Sequence, residues 1–472
     1  MPENRAFCIH AHFYQPPRED PFTGKIPEEA GAAPFANWNE RILATCYQPN
    51  VEERNFSQLS FNLGPTLVEW MSQHAPDVLD RIVQEDALNA TLYGTGNAIA
   101  QPYHHTILPL ASNEDKRTQV LWGIAAFNHV FVRAPLGMWL PETAVDYESL
   151  RVLASAGIQF TMLAPWQVEV IEGESPYLVE LGAGKSIIVF VYHGGLSSTV
   201  SFDAFATSNA DAFAEFYLKP EIDRFNPNQF LLIATDGELY GHHQPYREKF
   251  LSRLLDGSSN GIGLRATYPA LWMKNHQVTG RARIVENTSW SCFHGIDRWR
   301  TECDCTAGST WKAGLREGLS LIAARIDDAF SEICAAHGLD PITARNDYIQ
   351  VMLGMDTFEQ WLSKTSGKEV SSIGKRKLAT LFSAQRLRQQ MFSSCGWFFD
   401  ELARIEPRNN LAYAAHAVVL MESLTSMDFH SVAQPALREA VSHTSGETAF
   451  DFFIFAYQRF KNLQKTAQAN VG

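Results

Sequence analysis

The residues best equipped for chemistry lie where apolar runs give way to polar loops. The apolar residues 231–234 lead into Thr235, Asp236, Gly237, Glu238, Leu239, Tyr240, Gly241, His242 and His243. A buried strand here would deliver two carboxylates into a glycine-flanked loop. Asp236 and Glu238 could bind a divalent cation. Alternatively, one of them could pair with a distant carboxylate as acid and nucleophile, since glycoside hydrolysis needs two carboxylates flanking one bond. An acidic surface turn would have a similar composition, but it would less often be followed closely by two histidines. The distant carboxylate is Glu142, preceded by Gly137, Met138, Trp139, Leu140 and Pro141. Pro141 cannot donate a ladder hydrogen bond, so Glu142 is expected just past the sheet edge and open to a ligand. Trp139 would stand beside it as an apolar wall for a pyranose ring. The alternative is that Glu142 only caps a helix starting near Thr143.

Three other segments carry candidate residues. His10 and His12 are two apart, so a strand would turn both to one face, to bind a metal, to hydrogen-bond hydroxyls or to sit satisfied in the core. Residues 94–105 contain Gly94 and Gly96 but no lysine of the kind that completes a phosphate loop. Asn97 and Gln101 are therefore read as hydroxyl-recognising side chains, or as parts of an ordinary turn. Residues 289–300 hold Trp290, His294, Asp297 and Trp299 and lead into Cys303 and Cys305. Cys292, His294, Cys303 and Cys305 offer four possible zinc ligands, but their spacing fits none of the common CxxC-type frameworks. No metal and no cofactor is expected.

The elements that must position these residues alternate short apolar runs with amphipathic stretches, as parallel strands linked by crossover helices do. Strands are expected at 7–12, 90–93, 136–140, 160–163, 187–192 and 229–234. Residues 148–156 have helical spacing that Gly157 stops. After residue 305 the strand pattern fades, and helical periodicity covers 311–337, 375–399, 410–427 and 448–464. The expected organisation is an α/β domain over 1–305 and a helical domain over 306–472, with linkers at 306–310 and 365–372. Lys375, Arg376, Lys377, Arg386 and Arg388 have helical spacing and read as a solvated face.

Composition narrows the function. The chain has 472 residues, 45% hydrophobic and 19% charged, which is enough for a large core and excludes disorder as the main state. A net charge of −13 repels phosphate backbones and argues against a nucleic-acid partner. No run approaches the roughly 20 apolar residues of a membrane helix, and residues 1–7 hold no apolar signal core, so a cytoplasmic location without a membrane partner is expected. Seven cysteines are an odd count, against a secreted disulfide framework. Aromatics reach 12%, and their flat faces are suited to sugar rings.

Taken in order, these segments resemble glycoside hydrolase family 57, whose members act mainly on α-glucans as amylases, 4-α-glucanotransferases and branching enzymes. The family's HQP region is similar to residues 12–16, with Phe13 and Tyr14 intervening before Gln15. Its second region is similar to 96–101, its nucleophile region to 137–142, and its acid/base region to 236–242. The resemblance implies a distorted seven-stranded (β/α) barrel, an incomplete TIM-like barrel, followed by an α-helical C-terminal domain. It also implies a retaining double displacement with Glu142 as nucleophile and Asp236 as acid/base. The implied substrate-binding residues are His10, His12, Gln15, Asn97, Gln101, Trp139, Glu238, Tyr240, His242, Trp290, His294, Asp297 and Trp299, acting on an oligo- or polysaccharide.

The chain departs from the family pattern in three places. Gln101 stands where some members carry a carboxylate, His243 stands where a Trp often follows, and Asp297 and Trp299 align only loosely with the fifth region. Two other functions remain as expectations. One is a metal-dependent barrel hydrolase using His10, His12 and Asp236. The other is a catalytically silent glucan-binding protein.

Overall fold

A computed structural model describes residues 5–224 and 230–469. Residues 1–4, part of the segment read for a signal core, and residue 229, expected to open a strand, lie outside the described residues. The chain divides into two compact units. One comprises Met1–Pro17, Pro27–Tyr103 and Phe127–Ser291, and the other Arg18–Ile26, His104–Ala126 and Cys292–Gly472.

The first unit contains strands β1 (Arg5–Phe13), β2 (Ser60–Leu63), β3 (Phe160–Leu163), β4 (Val168–Glu172), β5 (Tyr177–Gly182), β6 (Lys185–Val191), β7 (Phe230–Asp236), β8 (Leu264–Ala266) and β9 (Gly280–Ile284). β1 is buried from Phe7 to Phe13, which is why its sequence shows no simple polar alternation. It runs parallel to β2 on one side and to β7 on the other. Single parallel bridges continue the series, Phe61 with Ala98, Ala100 with Met138, and Gly137 with Phe160. β3 then pairs in parallel with β6. Seven parallel staves therefore succeed one another, two of them only a few residues long. The amide of His193, just past β6, donates to the carbonyl of Leu232 on β7 at 2.7 Å. Among the described residues that bond stands where a β6–β7 strand pair would close a regular barrel. β4, β5 and β9 extend the β3–β6 edge, largely antiparallel.

The period of two along each stave sorts the interior. Cys8, Phe230, Leu232, Ile99, Phe160 and Met162 join one buried apolar cluster. Two or four residues further on, the same faces carry His10, His12, Asp236 and Gln101. The interior thus turns from apolar to polar toward the C-terminal ends, where parallel barrels keep their functional groups.

Several sequence expectations change. Residues 90–93 are not a strand but the end of helix Pro76–Tyr93, with Leu92 and Tyr93 exposed. A four-residue apolar run cannot by itself separate a strand from a helix end. The strands that were not expected are β2, β4, β5, β8 and β9. Residues 136–140 contribute bridges rather than a full strand. The segment just past β6 is a helix, Gly194–Phe202, whose first turn is capped by the His193 side chain accepting from the Leu196 amide at 3.1 Å.

The second unit contains helices Trp311–Ala336, Ser372–Gln390, Ile405–Glu422 and Ala449–Ala469. The stretch 375–399 is interrupted after Gln390 and resumes as Cys395–Phe398. Arg388 is not on a solvated face. Its guanidinium is buried and meets Asp115 at 2.7 Å and Asp327 at 2.5 Å, while Arg345 meets Asp115 at 3.1 Å. Gln389 also donates to Asp115 at 2.8 Å. Among the described residues, no helix is long and apolar enough to cross a membrane.

Burial alone would raise the Asp115 pKa, but Arg388 and Arg345 reverse this and hold it below its ordinary value. A lowered folded-state pKa stabilises the fold above the unfolded value, and that stability is lost as pH falls through the folded one. Asp115→Asn is expected to leave Arg345 buried without its anion and Arg388 with Asp327 alone, and to destabilise the helical unit by about 3–5 kcal/mol. In thermal melts the deficit should be large at pH 7 and shrink toward pH 3.

Candidate active site

The polar end of the barrel is organised by a residue that sequence reasoning missed. Asn62 lies in β2 opposite His12. Its amide donates to Gln101 Oε1 at 2.7 Å and lies 3.0 Å from His12 Nδ1, and its carbonyl oxygen lies 3.2 Å from His10 Nε2. The other His10 nitrogen meets Ser60 Oγ at 3.0 Å. Burial lowers the pKa of His10 to about 3, aided by the charge of His12, and lowers that of His12 to about 4. Both rings are therefore neutral hydrogen-bonding groups at pH 7. A polar residue inside the apolar run 59–63, just before Gly64 and Pro65, was the available signal for Asn62.

Trp139 does not offer the sugar wall expected of it. It is 0% exposed, with His10 stacked at 4.6 Å and His12 at 5.3 Å between ring centroids. The half-buried indole is Trp290, whose edge meets Trp139 at 5.0 Å. Trp290 also reaches Glu142: its Nε1–H donates to Glu142 Oε2 at 3.1 Å, and the Ser291 hydroxyl donates to the same oxygen at 2.7 Å. Ser291 lies within the candidate segment 289–300, but nothing in its spacing connects it to a residue 149 positions earlier.

Glu142 does not cap a helix, since the next one is Tyr147–Ser155, capped by Asp146. Glu142 and Thr143 instead hold successive left-handed backbones, φ 57° and 50°. Such conformations cost of order 1–3 kcal/mol each and persist only where surroundings impose them. Gln167 imposes this one, accepting from the Thr143 hydroxyl and donating to the Thr143 carbonyl, both at 2.8 Å. The Trp290 amide adds a bond to the Glu142 carbonyl at 3.0 Å.

Asp236 ends β7 opposite His12. Its side chain opens to solvent, while the surrounding protein still desolvates it. That desolvation, with the negative charge of Glu142 second, raises its pKa to about 7. Glu238 plays a different part. It is 6% exposed, and its Oε1 accepts from the Tyr47 hydroxyl at 2.7 Å and the Tyr14 amide at 3.1 Å, with Gln15 also bonded to the carboxyl. Glu238 and Gln15 thus fasten the loop after β1. Gly237 between the two carboxylates is required, because a Cβ there would overlap the Phe13 ring.

The remaining expected binders separate. His242 is partly exposed, held by the Thr45 hydroxyl at 3.1 Å. Gln101 Nε2 is a buried donor with no partner among the described residues. Asn97 is turned inward, both of its amide hydrogens spent on the carbonyls of Phe56 and Leu59 at 2.6 Å, so it serves the framework. Tyr240 is likewise 0% exposed, its hydroxyl accepting from Thr235 at 3.2 Å. His294, Asp297 and Trp299 belong to the second unit. There Trp299 is 0% exposed and so is no open platform, Asp297 pairs with Arg300 at 2.5 Å, and His294 lies among cysteines. His10, His12 and Asp236 are not among the ligand groups that converge within 4.8 Å.

A parallel barrel whose staves end in two unlike carboxylates is that of a carbohydrate-active barrel enzyme. The chain belongs to glycosyl hydrolase family 57, whose profile matches residues 10–259. A domain of unknown function, DUF3536, matches residues 309–456. An exo-type maltose-forming amylase from Pyrococcus sp. ST04 superposes with a TM-score of 0.72, at 15% identity over 92% of this chain and 82% of that one. A branching enzyme from Pyrococcus horikoshii gives 0.63, at 15% identity over 95% and 97%. An α-amylase from Thermotoga maritima gives 0.60, at 12% identity over 95% and 99%. No match was found among curated proteins.

The raised pKa of Asp236 has a stability consequence. Its proton is held more tightly in the folded state, so folding loses stability as pH rises through about 7. Asp236→Asn is expected to melt at a higher temperature than the wild type at pH 8, with the difference vanishing below about pH 4.

Proposed function

We propose that this protein is a retaining glycosidase or transglycosylase acting on α-1,4-glucans, with Glu142 as nucleophile and Asp236 as general acid and base. The observation that carries the reading is the unlike treatment of the two carboxyls. Glu142 receives two hydrogen bonds on one oxygen, from Trp290 and Ser291, which favour its anion. Desolvation and the charge of Glu142 keep a proton on Asp236 up to about pH 7. An ionised nucleophile beside a protonated acid is what the first step of a double displacement needs.

In that step a Glu142 oxygen bonds to the anomeric carbon as the glycosidic C–O bond breaks, and the Asp236 proton passes to the leaving oxygen. In the second step Asp236 takes a proton from water or a sugar hydroxyl, whose oxygen displaces Glu142 from the same carbon. Two inversions give net retention. Trp290 is the aromatic face open to a sugar, and Gln101 Nε2 and His242 are donors for its hydroxyls. His10, His12 and Glu238 hold these groups in place from behind. The α-glucan substrate is supported by family membership and by the amylase and branching activities of the proteins that share the fold.

Incubation with maltoheptaose and with amylose, followed by product profiling, tests the assignment. Shorter sugars alone mean hydrolysis, longer ones disproportionation, and new α-1,6 linkages branching. Glu142→Gln should fall to background, and Asp236→Asn should lose about 10²–10⁴-fold in turnover. Normal rates in both variants would overturn the mechanism. Glucan binding without any product from the wild type would leave a binding protein. The wild-type kcat/KM should fall above about pH 7 as Asp236 loses its proton. Ser291→Ala, which removes one hydrogen bond to a charged group, should cost roughly 10- to 100-fold in kcat.

A further inference from the structure

Residues 292–305 lie between the two matched regions, which end at 259 and begin at 309. Within this segment Cys292, His294, Cys303 and Cys305 turn one ligand atom each toward a common point, all within 4.8 Å of one another. Two distances define the geometry. Cys292 Sγ and Cys303 Sγ are 3.8 Å apart, and Cys305 Sγ is 3.6 Å from His294 Nδ1. A tetrahedral zinc ion, with Zn–S about 2.3 Å and Zn–N about 2.0–2.1 Å, sets edges of about 3.8 Å between sulfurs and about 3.5 Å between sulfur and nitrogen. We propose that Cys292, His294, Cys303 and Cys305 form a structural Cys3His zinc site.

The surroundings fit a thiolate-rich centre. The three cysteines of the segment are free thiols; Cys292 and Cys303 are buried and Cys305 is half-buried. Backbone amides of His294 and Arg298 donate toward Cys292, and that of Phe293 toward Cys305, the kind of outer bonds that orient metal-bound sulfur. The free ring nitrogen of the histidine, Nε2, faces Asp304 at 3.9 Å, as a carboxylate behind a zinc-bound histidine does. Three thiolates and one Zn²⁺ leave a net charge of −1. Lys312 is 0% exposed and close enough to Cys292 and Cys303 for their charges to act on it, with Arg298 also nearby. The chain pattern is two pairs, Cys-x-His and Cys-x-Cys, separated by eight residues. Gly295, with φ 76°, turns the backbone immediately after the first pair.

The test uses the full chain, purified under reducing conditions without chelator. Elemental analysis should find about one zinc per chain after desalting. Exchange with cobalt should give sulfur-to-cobalt charge-transfer absorption and the intense visible bands of a tetrahedral site. Cys303→Ser and His294→Ala should each weaken zinc retention by at least about 10-fold against a competing chelator, and Cys395→Ser should leave it unchanged. If Cys303→Ser fails to fold, Cys305→Ser at the rim should still shift the cobalt spectrum. Less than a tenth of a zinc per chain, together with no thiolate band when reduced protein is titrated with cobalt, would overturn the proposal. So would a thiol count showing Cys292 joined to Cys303 in metal-free protein.

Discussion

A strand buried on both faces has to satisfy every polar side chain it carries, and β1 places two histidines at its buried end. Leaving a buried polar group unpaired costs about 1–3 kcal/mol, so His10 and His12 require partners on the neighbouring staves. Asn62 supplies both and passes the network on to Gln101. Trp139 closes against the two rings and excludes water from them. The apolar-to-polar gradient along the barrel interior is therefore one packing solution, with the cluster around Cys8 and Leu232 at one end and the carboxylates at the other.

The two carboxylates differ because their backbones differ. Glu142 sits in a left-handed turn that Gln167 and the Trp290 segment hold in place. The same segment then delivers the donors that stabilise its charge. Asp236 is reached by an ordinary strand and gets its raised pKa from desolvation and from the charge of Glu142. Glu142 thus departs from a relaxed surface acid by its strained backbone, and Asp236 by its desolvation.

Glu238 shows how a residue can share a motif with a catalytic candidate and do different work. It stands two positions after Asp236, yet the intervening turn over Phe13 sends it to Tyr47 and the Tyr14 amide. In the helical unit the ion cluster of Asp115, Arg345, Arg388 and Asp327 illustrates the same point. Arg388 belongs by spacing to a basic surface stripe and by packing to the interior.

Several features were legible without coordinates because they are local. Apolar runs ending in acids marked Glu142 and Asp236, β/α alternation and the later helical periodicity marked the architecture, and Gly157 marked a helix end. The strand misread at 90–93 and the missed β2 were short runs, in which period alone cannot separate helix from strand. The rest depended on pairs of residues far apart in the chain. Ser291 on Glu142, Asn62 between two histidines, the enclosure of Trp139 and the inward turn of Asn97 have no signature in spacing, because hydrogen-bond partners and burial are settled only when distant segments pack. The sequence by itself determined which side chains stand at strand ends; the tertiary structure decided which of them are enclosed, which hold one another by hydrogen bonds, and which carboxyl is desolvated.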